Sequence, residues 1–239
     1  MNTLPLFYKK VVPLSKVQHQ NLCITPLKDY KHTRNTNSLY IAAVEFLQAA
    51  REYPILFGTG TDGIIFPMVL LGLRNNENLY VSKKGEWLTK YIPAYVRRYP
   101  FILAADKQNS GNFVVCIDES YAGFNEKNTG TRLFTDDSNE SSLLKQSVDF
   151  LKDYQNHIQA TNILCNTIND LHILEPMQVN MEKGGKKQTL GGFMCINRKR
   201  LKELPDEKMA AMVKNDFLEL IYAHLHSLVN LDNLIKRSV

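Results

Sequence analysis

The sequence lacks the long apolar runs that membrane proteins need. A membrane helix takes roughly 20 consecutive apolar residues. The longest apolar run, Ile64–Leu73, is about half that length and contains Pro67. The first residues, MNTLPLFYKKVVPLS, lack a basic segment followed by a long apolar run, so no secretory signal is predicted. We therefore expect a soluble, cytoplasmic protein without membrane insertion, while export by a route that needs no N-terminal signal stays open.

The sequence has no long segment in which charged residues of one sign are concentrated. The formal net charge is +5, and the lysines and arginines occur as short groups rather than as one basic tail. Nucleic-acid binding is typical of a basic stripe on one element with interleaved aromatic residues. Only the neighbourhood of Arg97 and Arg98 comes near that pattern. We do not expect a nucleic-acid partner.

Cysteine is scarce, and no C-x-x-C pair occurs. The four cysteines, Cys23, Cys116, Cys165 and Cys195, lie far apart in the sequence. Two of them lie inside apolar, strand-like runs, VVCID and FMCIN. This distribution predicts buried free thiols in a reducing compartment rather than disulfides.

Metal-binding motifs are missing as well. His224 and His226 lie two positions apart, and on a helix such residues point to nearly opposite sides. One ion could not take both as ligands, and no H-x-x-x-H or H-E-x-x-H occurs. We predict that His224 is a hydrogen-bonded core histidine near Tyr222 or Asn230. No metal and no cofactor is expected.

No sequence motif indicates a particular enzymatic reaction. Gly58–Gly63 matches G-x-G-x-x-G, but β-branched residues and Pro67 follow it, so it predicts a hairpin turn rather than a phosphate-binding helix. A G-x-S-x-G nucleophile elbow is absent. The acidic pair Asp118–Glu119 follows a strand-like run, where a carboxylate can lie at the rim of a pocket. No catalytic residue is assigned, and whether the protein is an enzyme stays open.

The pattern of elements predicts an α+β fold with a mainly antiparallel sheet of hairpins and packed helices. A long helix is expected near 140–171 and a C-terminal helix near 205–236. Shorter helices are expected over SLYIAAVEFLQAAREY and WLTKYIPAYVRR, the second interrupted by Pro93. Paired glycines predict a hairpin turn at Glu182–Gly185. One domain, 1–239, is expected, with a soft boundary at 125–139.

The densest aromatic stretch is ENLYVSKKGEWLTKYIPAYVRRYPF, residues 77–101. On a continuous helix, Trp87, Tyr91, Tyr95 and Arg98 would share one face, and Arg97 would point elsewhere. One interpretation is a helix whose rings pack in the core. The other is a surface that binds a ligand or partner, whose arginines pair with a carboxylate or phosphate.

These residues also carry a family resemblance. YPILF, VLLGLRNNENLYVSKKGEWLTKYIPAYVRRYPFIL and VVCIDE resemble the bacterial SapC family, as do PLFYKKVVPLSKVQH, LGGFMCINRKRLKELPDE and LIYAHLHSL. The similarity runs nearly end to end. The chain departs from the family pattern in its GTGTDG turn and at Lys83–Lys84. The resemblance implies a surface-layer-associated protein, and it supplies no catalytic residue.

Three hypotheses follow for the function. The first is a non-catalytic accessory protein that binds a protein or peptide partner, in surface-layer or secretion biology, through Trp87–Tyr99. The second is an enzyme or small-molecule-binding protein with a pocket beside that segment, lined by Arg97 or Arg98, Tyr95 and Asp118. The third is a structural homo-oligomer, which a size measurement in solution would test.

Overall fold

The computed structural model describes residues 4–106, 111–183 and 186–238, which form two compact units. The described residues of Met1–His32 and Val96–Asn156 make the first unit, and those of Thr33–Tyr95 and His157–Val239 make the second. The segment 125–139 lies inside the first unit. A single domain over 1–239 stays a prediction.

Strands and helices occur in groups along the chain. In chain order the strands are β1 (Val11–Pro13), β2 (Cys23–Ile24), β3 (Ser38–Tyr40), β4 (Ile55–Thr59), β5 (Ile65–Leu70), β6 (Phe101–Ala105), β7 (Phe113–Asp118), β8 (Phe124–Asn125), β9 (Thr131–Arg132), β10 (Leu174–Lys183) and β11 (Lys186–Ile196). The α-helices are α1 (Phe46–Ala49), α2 (Ala94–Arg97), α3 (Ser142–Asp170), α4 (Arg198–Lys202), α5 (Asp206–Lys214), α6 (Phe217–Ser227) and α7 (Asn230–Arg237). Two 3-10 helices cover Lys31–Thr33 and Ala43–Glu45.

The first unit contains two antiparallel sheets, in the orders β1-β7-β6 and β8-β2-β9. The start of α3 packs on them through Leu144, Val148 and Leu151, which are buried in one cluster with Phe101 and Ile117. Spacings of four and three residues place these three side chains on one face of the helix. This amphipathic face explains why the long helix could be predicted from its apolar spacing.

The second unit contains a five-stranded antiparallel sheet in the order β10-β11-β4-β5-β3. The predicted hairpin turn between β4 and β5 is confirmed. The Gly60 N–H donates to the Ile64 carbonyl at 2.8 Å, and Gly63 has φ +79°, a conformation that glycine adopts without steric cost. The strands flanking the other predicted hairpin are β10 and β11, but Gly184–Gly185 lie outside the described residues.

The predicted α+β class is confirmed, with its antiparallel sheets, long helix and helical C-terminal region. The helical segments of that last region are α5, α6 and α7. Asp216, between α5 and α6, has φ +60°, which ends the regular helical backbone there. The predicted hydrogen-bonded core histidine is also confirmed, since His224 on α6 is fully buried, but its partners are the backbone of Ile55 and Ile196.

Two shorter helix predictions are wrong in extent. Because the residue before a proline disfavours the helical conformation, helix α2 begins only after Pro93 and spans four residues. The segment around Ile41 begins as strand β3, which pairs with β5, and continues as short helical turns. Val44 and Leu47 in this segment are exposed, although their spacing is typical of the apolar face of a helix.

Candidate functional site

The six residues predicted to form a binding surface fall into both units. Trp87, Tyr91 and Tyr95 belong to the second unit, whereas Arg97, Arg98 and Asp118 belong to the first. Trp87 and Tyr91 precede α2 and are not helical, so the expected continuous helix face does not form. Arg97 is exposed, and the other five are half-buried or buried.

Trp87 is held by hydrogen bonds within the second unit. Its indole Nε1–H donates to the Tyr53 hydroxyl at 2.7 Å and to Thr89 Oγ1 at 2.9 Å. Burial raises the pKa of Tyr53 well above its usual value, so this hydroxyl stays protonated. The ring therefore has a fixed position, with part of its surface accessible.

Tyr91 is fixed by a buried carboxylate. Glu45 accepts hydrogen bonds from the Tyr91 hydroxyl at 2.6 Å and the Ala94 N–H at 2.7 Å through Oε1, and from the Ala42 N–H at 3.0 Å through Oε2. Only 4 % of Glu45 is exposed. A buried carboxylate is tolerated when hydrogen-bond donors surround it in this way.

Replacing Glu45 with glutamine is expected to destabilise the second unit by about 2–3 kcal/mol, because the new amide must point an N–H at a buried donor. Urea unfolding followed by the fluorescence of Trp87, the single tryptophan, measures the change. Glu203→Gln, an exposed position, is the matched control. Equal stability of the Glu45→Gln variant and the wild type would contradict this account of Glu45.

A groove in the first unit brings sequence-distant residues together. Three adjoining cavities of about 370, 260 and 240 Å³ form it. The first two share the lining residues Thr25, Pro26, Leu27, Tyr99 and Tyr121. The last two share the lining residues Arg97, Phe101, Leu143 and Ser147. The shared walls make one continuous depression, which we call the groove.

An aromatic cluster forms the floor of the groove at Tyr99. The Tyr99 ring stacks on His32 with ring centroids 4.7 Å apart, and it meets the edges of Tyr8 and Tyr121 at 5.3 and 5.5 Å. The Tyr121 hydroxyl donates to the Thr25 carbonyl at 2.9 Å. Such ring contacts fix the side chains before anything binds, which lowers the entropy cost of binding.

Asp118 supports this floor from beneath. It ends β7 fully buried and accepts hydrogen bonds from the Lys9 N–H at 2.9 Å, the Lys10 N–H at 3.0 Å, and Ser120 N–H and Oγ–H at 3.1 and 2.6 Å. The Tyr99 hydroxyl donates to it at 3.4 Å. Burial alone would raise the pKa of Asp118, but these hydrogen bonds lower it below its usual value. Asp118 lines none of the three cavities, and its hydrogen bonds connect the segment before β1 to the floor of the groove.

The groove is positively charged at both ends. Lys9 and Lys28 line the first cavity, and Arg97 and Arg98 line the third. Asp29, the carboxylate among the lining residues of the three cavities, lies 3.0 Å from Lys31 Nζ. The lining therefore favours a ligand that carries negative charge.

His32 adds no positive charge to the groove near neutral pH. Burial lowers its pKa, and the opposing influence of Asp29 is smaller. Aromatic rings pack against the imidazole on several sides, among them Phe7 at 5.4 Å. The groove therefore offers a neutral aromatic wall between its charged ends.

The two arginines lie against aromatic rings. The Arg97 guanidinium is 5.1 Å from the Phe150 ring centroid. The Arg98 guanidinium is 5.4 Å from the ring of Tyr154 and 5.8 Å from that of Tyr8. Stacking on aromatic faces restrains a guanidinium while leaving its edge able to bind a carboxylate.

Arg97 and Arg98 of the groove were among the residues predicted from the sequence, whereas most of the other lining residues were not. Tyr99 lay inside the aromatic stretch and was the available signal. Tyr121, Leu27 and Phe150 come from separate segments, and no local pattern marks them as neighbours. The pairing of β6 with β7, the pairing of β2 with β8 and β9, and the packing of α3 bring them to one surface.

The cysteine side chains are part of the interior. The four cysteines are buried free thiols, as predicted. Among the described residues, no cluster of three or more histidine, cysteine or acidic side chains could hold a metal ion. In the same part of the chain, no helix combines the length and apolar character needed to cross a bilayer.

The architecture is that of a mixed α+β protein with antiparallel sheets and a long helix. The sequence model of the SapC family matches residues 14–234, so the chain belongs to the SapC family. Neither a curated protein nor a solved structure matches the chain.

Proposed function

We propose that the protein is a non-catalytic binding protein, whose groove in the first unit holds an extended acidic segment of a partner protein. The observation that carries this proposal is the continuity of the three cavities, which share lining residues from one end to the other. A series of adjoining shallow depressions suits an extended peptide, because successive side chains of the peptide can each occupy one of them.

The lining supports a peptide ligand. Rigid tyrosine rings and prolines offer apolar contact at low entropy cost, and the arginines at one end suit carboxylates. Lys9 and Lys28 give the opposite end the same sign of charge. A segment with aspartate or glutamate side chains on either side of an apolar residue would complement this lining.

The setting of this function stays a prediction. The SapC family resemblance implies surface-layer or secretion biology, and the composition favours a cytoplasmic location. Both are proposals about where the acidic partner is encountered, and neither alters the chemistry of the groove.

The test is a displayed library of random peptides selected on the full chain. We expect enrichment of peptides that combine acidic and apolar residues. Arg97→Glu should weaken the binding of an enriched peptide by about tenfold or more, equivalent to about 1.4 kcal/mol. Lys152→Glu is the matched control, because Lys152 is exposed on α3 and lines none of the three cavities.

A second variant tests the groove by volume rather than by charge. Ser147 lines two of the cavities, and its hydroxyl donates only to the Leu143 carbonyl of its own helix, at 2.9 Å. Ser147→Phe should fill the groove and abolish binding, while Ser147→Ala should bind as the wild type does. Peptides that bind Arg97→Glu and Ser147→Phe as well as the wild type would refute the proposal, as would selection without enrichment.

A further inference from the structure

We propose a second binding site, in the second unit, where a cavity beside Trp87 binds a small polyanion with phosphoryl or carboxylate groups. The cavity has a volume of about 510 Å³, within the range of small-molecule sites. Three segments line it: residues 51–52 after α1, residues 87–90, and α7.

Charge is the first argument for an anionic ligand. The side chains of Arg51, Lys90, Lys236 and Arg237 line the cavity and are exposed, with Glu52 as the acid among the lining residues. Within the part of the chain that the structure describes, none of these four cations forms an ion pair with a carboxylate. Clustered cations raise each other's electrostatic energy, and a bound polyanion relieves this repulsion.

Glu52, the acidic residue that lines the cavity, repels a bound anion only weakly. The carboxylate of Glu52 accepts hydrogen bonds from the backbone N–H groups of Lys90 at 3.1 Å and Tyr91 at 3.3 Å. These donors stabilise its negative charge and hold it against the backbone. Its role is to fix the backbone at residues 90–91, and Lys90 belongs to the wall that residues 87–90 form.

The walls are preorganised on the other sides too. The Arg237 guanidinium lies 4.9 Å from the ring centroid of buried Tyr80, whose hydroxyl donates to the Glu52 carbonyl at 3.1 Å. Asn230 on α7 donates to the Ala50 carbonyl at 2.8 Å and to the Tyr53 carbonyl at 3.2 Å. These bonds anchor α7 to the segment after α1, so the cations it carries have a fixed place.

Trp87 provides a fluorescent probe of ligand binding at this site. It is the single tryptophan of the chain, its Nε1–H is bound to Tyr53 and Thr89, and its side chain lines the cavity. Binding of a polyanion beside the indole should therefore change the intrinsic fluorescence in a saturable way.

The experiment titrates the full chain with inorganic pyrophosphate and, in a second arm, with citrate. Fluorescence and isothermal titration calorimetry follow both arms. Saturable binding that weakens with added salt is the expected result. A preference for pyrophosphate would assign phosphorylated ligands, and a preference for citrate would assign polycarboxylates.

Charge reversals locate the site. Arg51→Glu and Lys236→Glu should each weaken binding by about tenfold or more. Lys208→Glu makes the same change at an exposed position of α5 that does not line the cavity, and should leave the affinity within about twofold. The proposal is overturned if neither probe binds by calorimetry, if the two cavity variants bind normally, or if Lys208→Glu weakens binding equally.

Discussion

Replacing His224 with phenylalanine is expected to lower the free energy of unfolding by about 2–5 kcal/mol, because it leaves two buried backbone groups without partners. His224 Nδ1–H donates to the Ile55 carbonyl at 2.8 Å, and Nε2 accepts from the Ile196 N–H at 3.1 Å. The imidazole thus joins α6 to strands β4 and β11. Phenylalanine fills similar space but makes neither hydrogen bond.

Urea unfolding followed by Trp87 fluorescence measures this effect, since both residues belong to the second unit. His226→Phe is the matched control: the same substitution two positions along the same helix, at an exposed residue, should change stability by less than about 0.5 kcal/mol. A His224→Phe variant as stable as the His226→Phe variant would show that the two hydrogen bonds of His224 contribute little to stability.

The same imidazole makes the stability depend on pH. Burial lowers the pKa of His224 to about 4, and the hydrogen bond to Ile55 opposes this shift only in part. The unfolded chain, with a pKa near 6.5, binds the proton more tightly than the folded one. The stabilising contribution is therefore fully present above about pH 6.5 and is lost as the pH falls towards 4, by roughly 3 kcal/mol in total. His224→Phe should flatten the stability curve over this interval.

Sequence patterns predicted the elements that depend on residues close together in the chain. The β4–β5 hairpin follows from two apolar runs around a glycine turn, and α3 follows from its apolar spacing. The segment at Ile41 was misread because its pairing with β5 depends on residues far along the chain. The same limit applies to the groove, most of whose lining comes from residues 25–29, 97–101, 120–123 and 143–150.

The aromatic stretch at residues 77–101 serves more than one purpose. Pro93 prevents one continuous helix, so the segment before it and the segment after it have separate structural roles. Residues 87–90 line the polyanion cavity of the second unit, and residues 97–101 line the groove of the first. The aromatic and basic character that suggested one recognition surface is thus divided between two candidate sites.

Asp118 is the carboxylate that holds the floor of the groove in place. Replacing it with asparagine is expected to destabilise the first unit by about 2–4 kcal/mol, because hydrogen bonds to a charged acceptor are stronger than those to a neutral one. The amide oxygen can replace Oδ1, which takes three donors from Lys10 and Ser120. The amide nitrogen would then face the Lys9 N–H, a donor against a donor.

Amide hydrogen exchange at Lys9 and Lys10 gives a local measure of this effect, and we expect protection to fall at both residues in Asp118→Asn. Peptide binding in the groove should weaken as well, because Tyr99 and Ser120 line its first cavity and both donate to Asp118.

The lowered pKa of Asp118 means that its contribution to stability is present above the usual carboxyl pKa and is lost only as the pH falls below it. Glu119→Gln is the control, since this neighbouring carboxylate is exposed and contacts Lys10 Nζ at 2.5 Å on the surface. Unchanged exchange in Asp118→Asn, or an equal loss of protection in Glu119→Gln, would show that the buried carboxylate does not hold the segment before β1 in place.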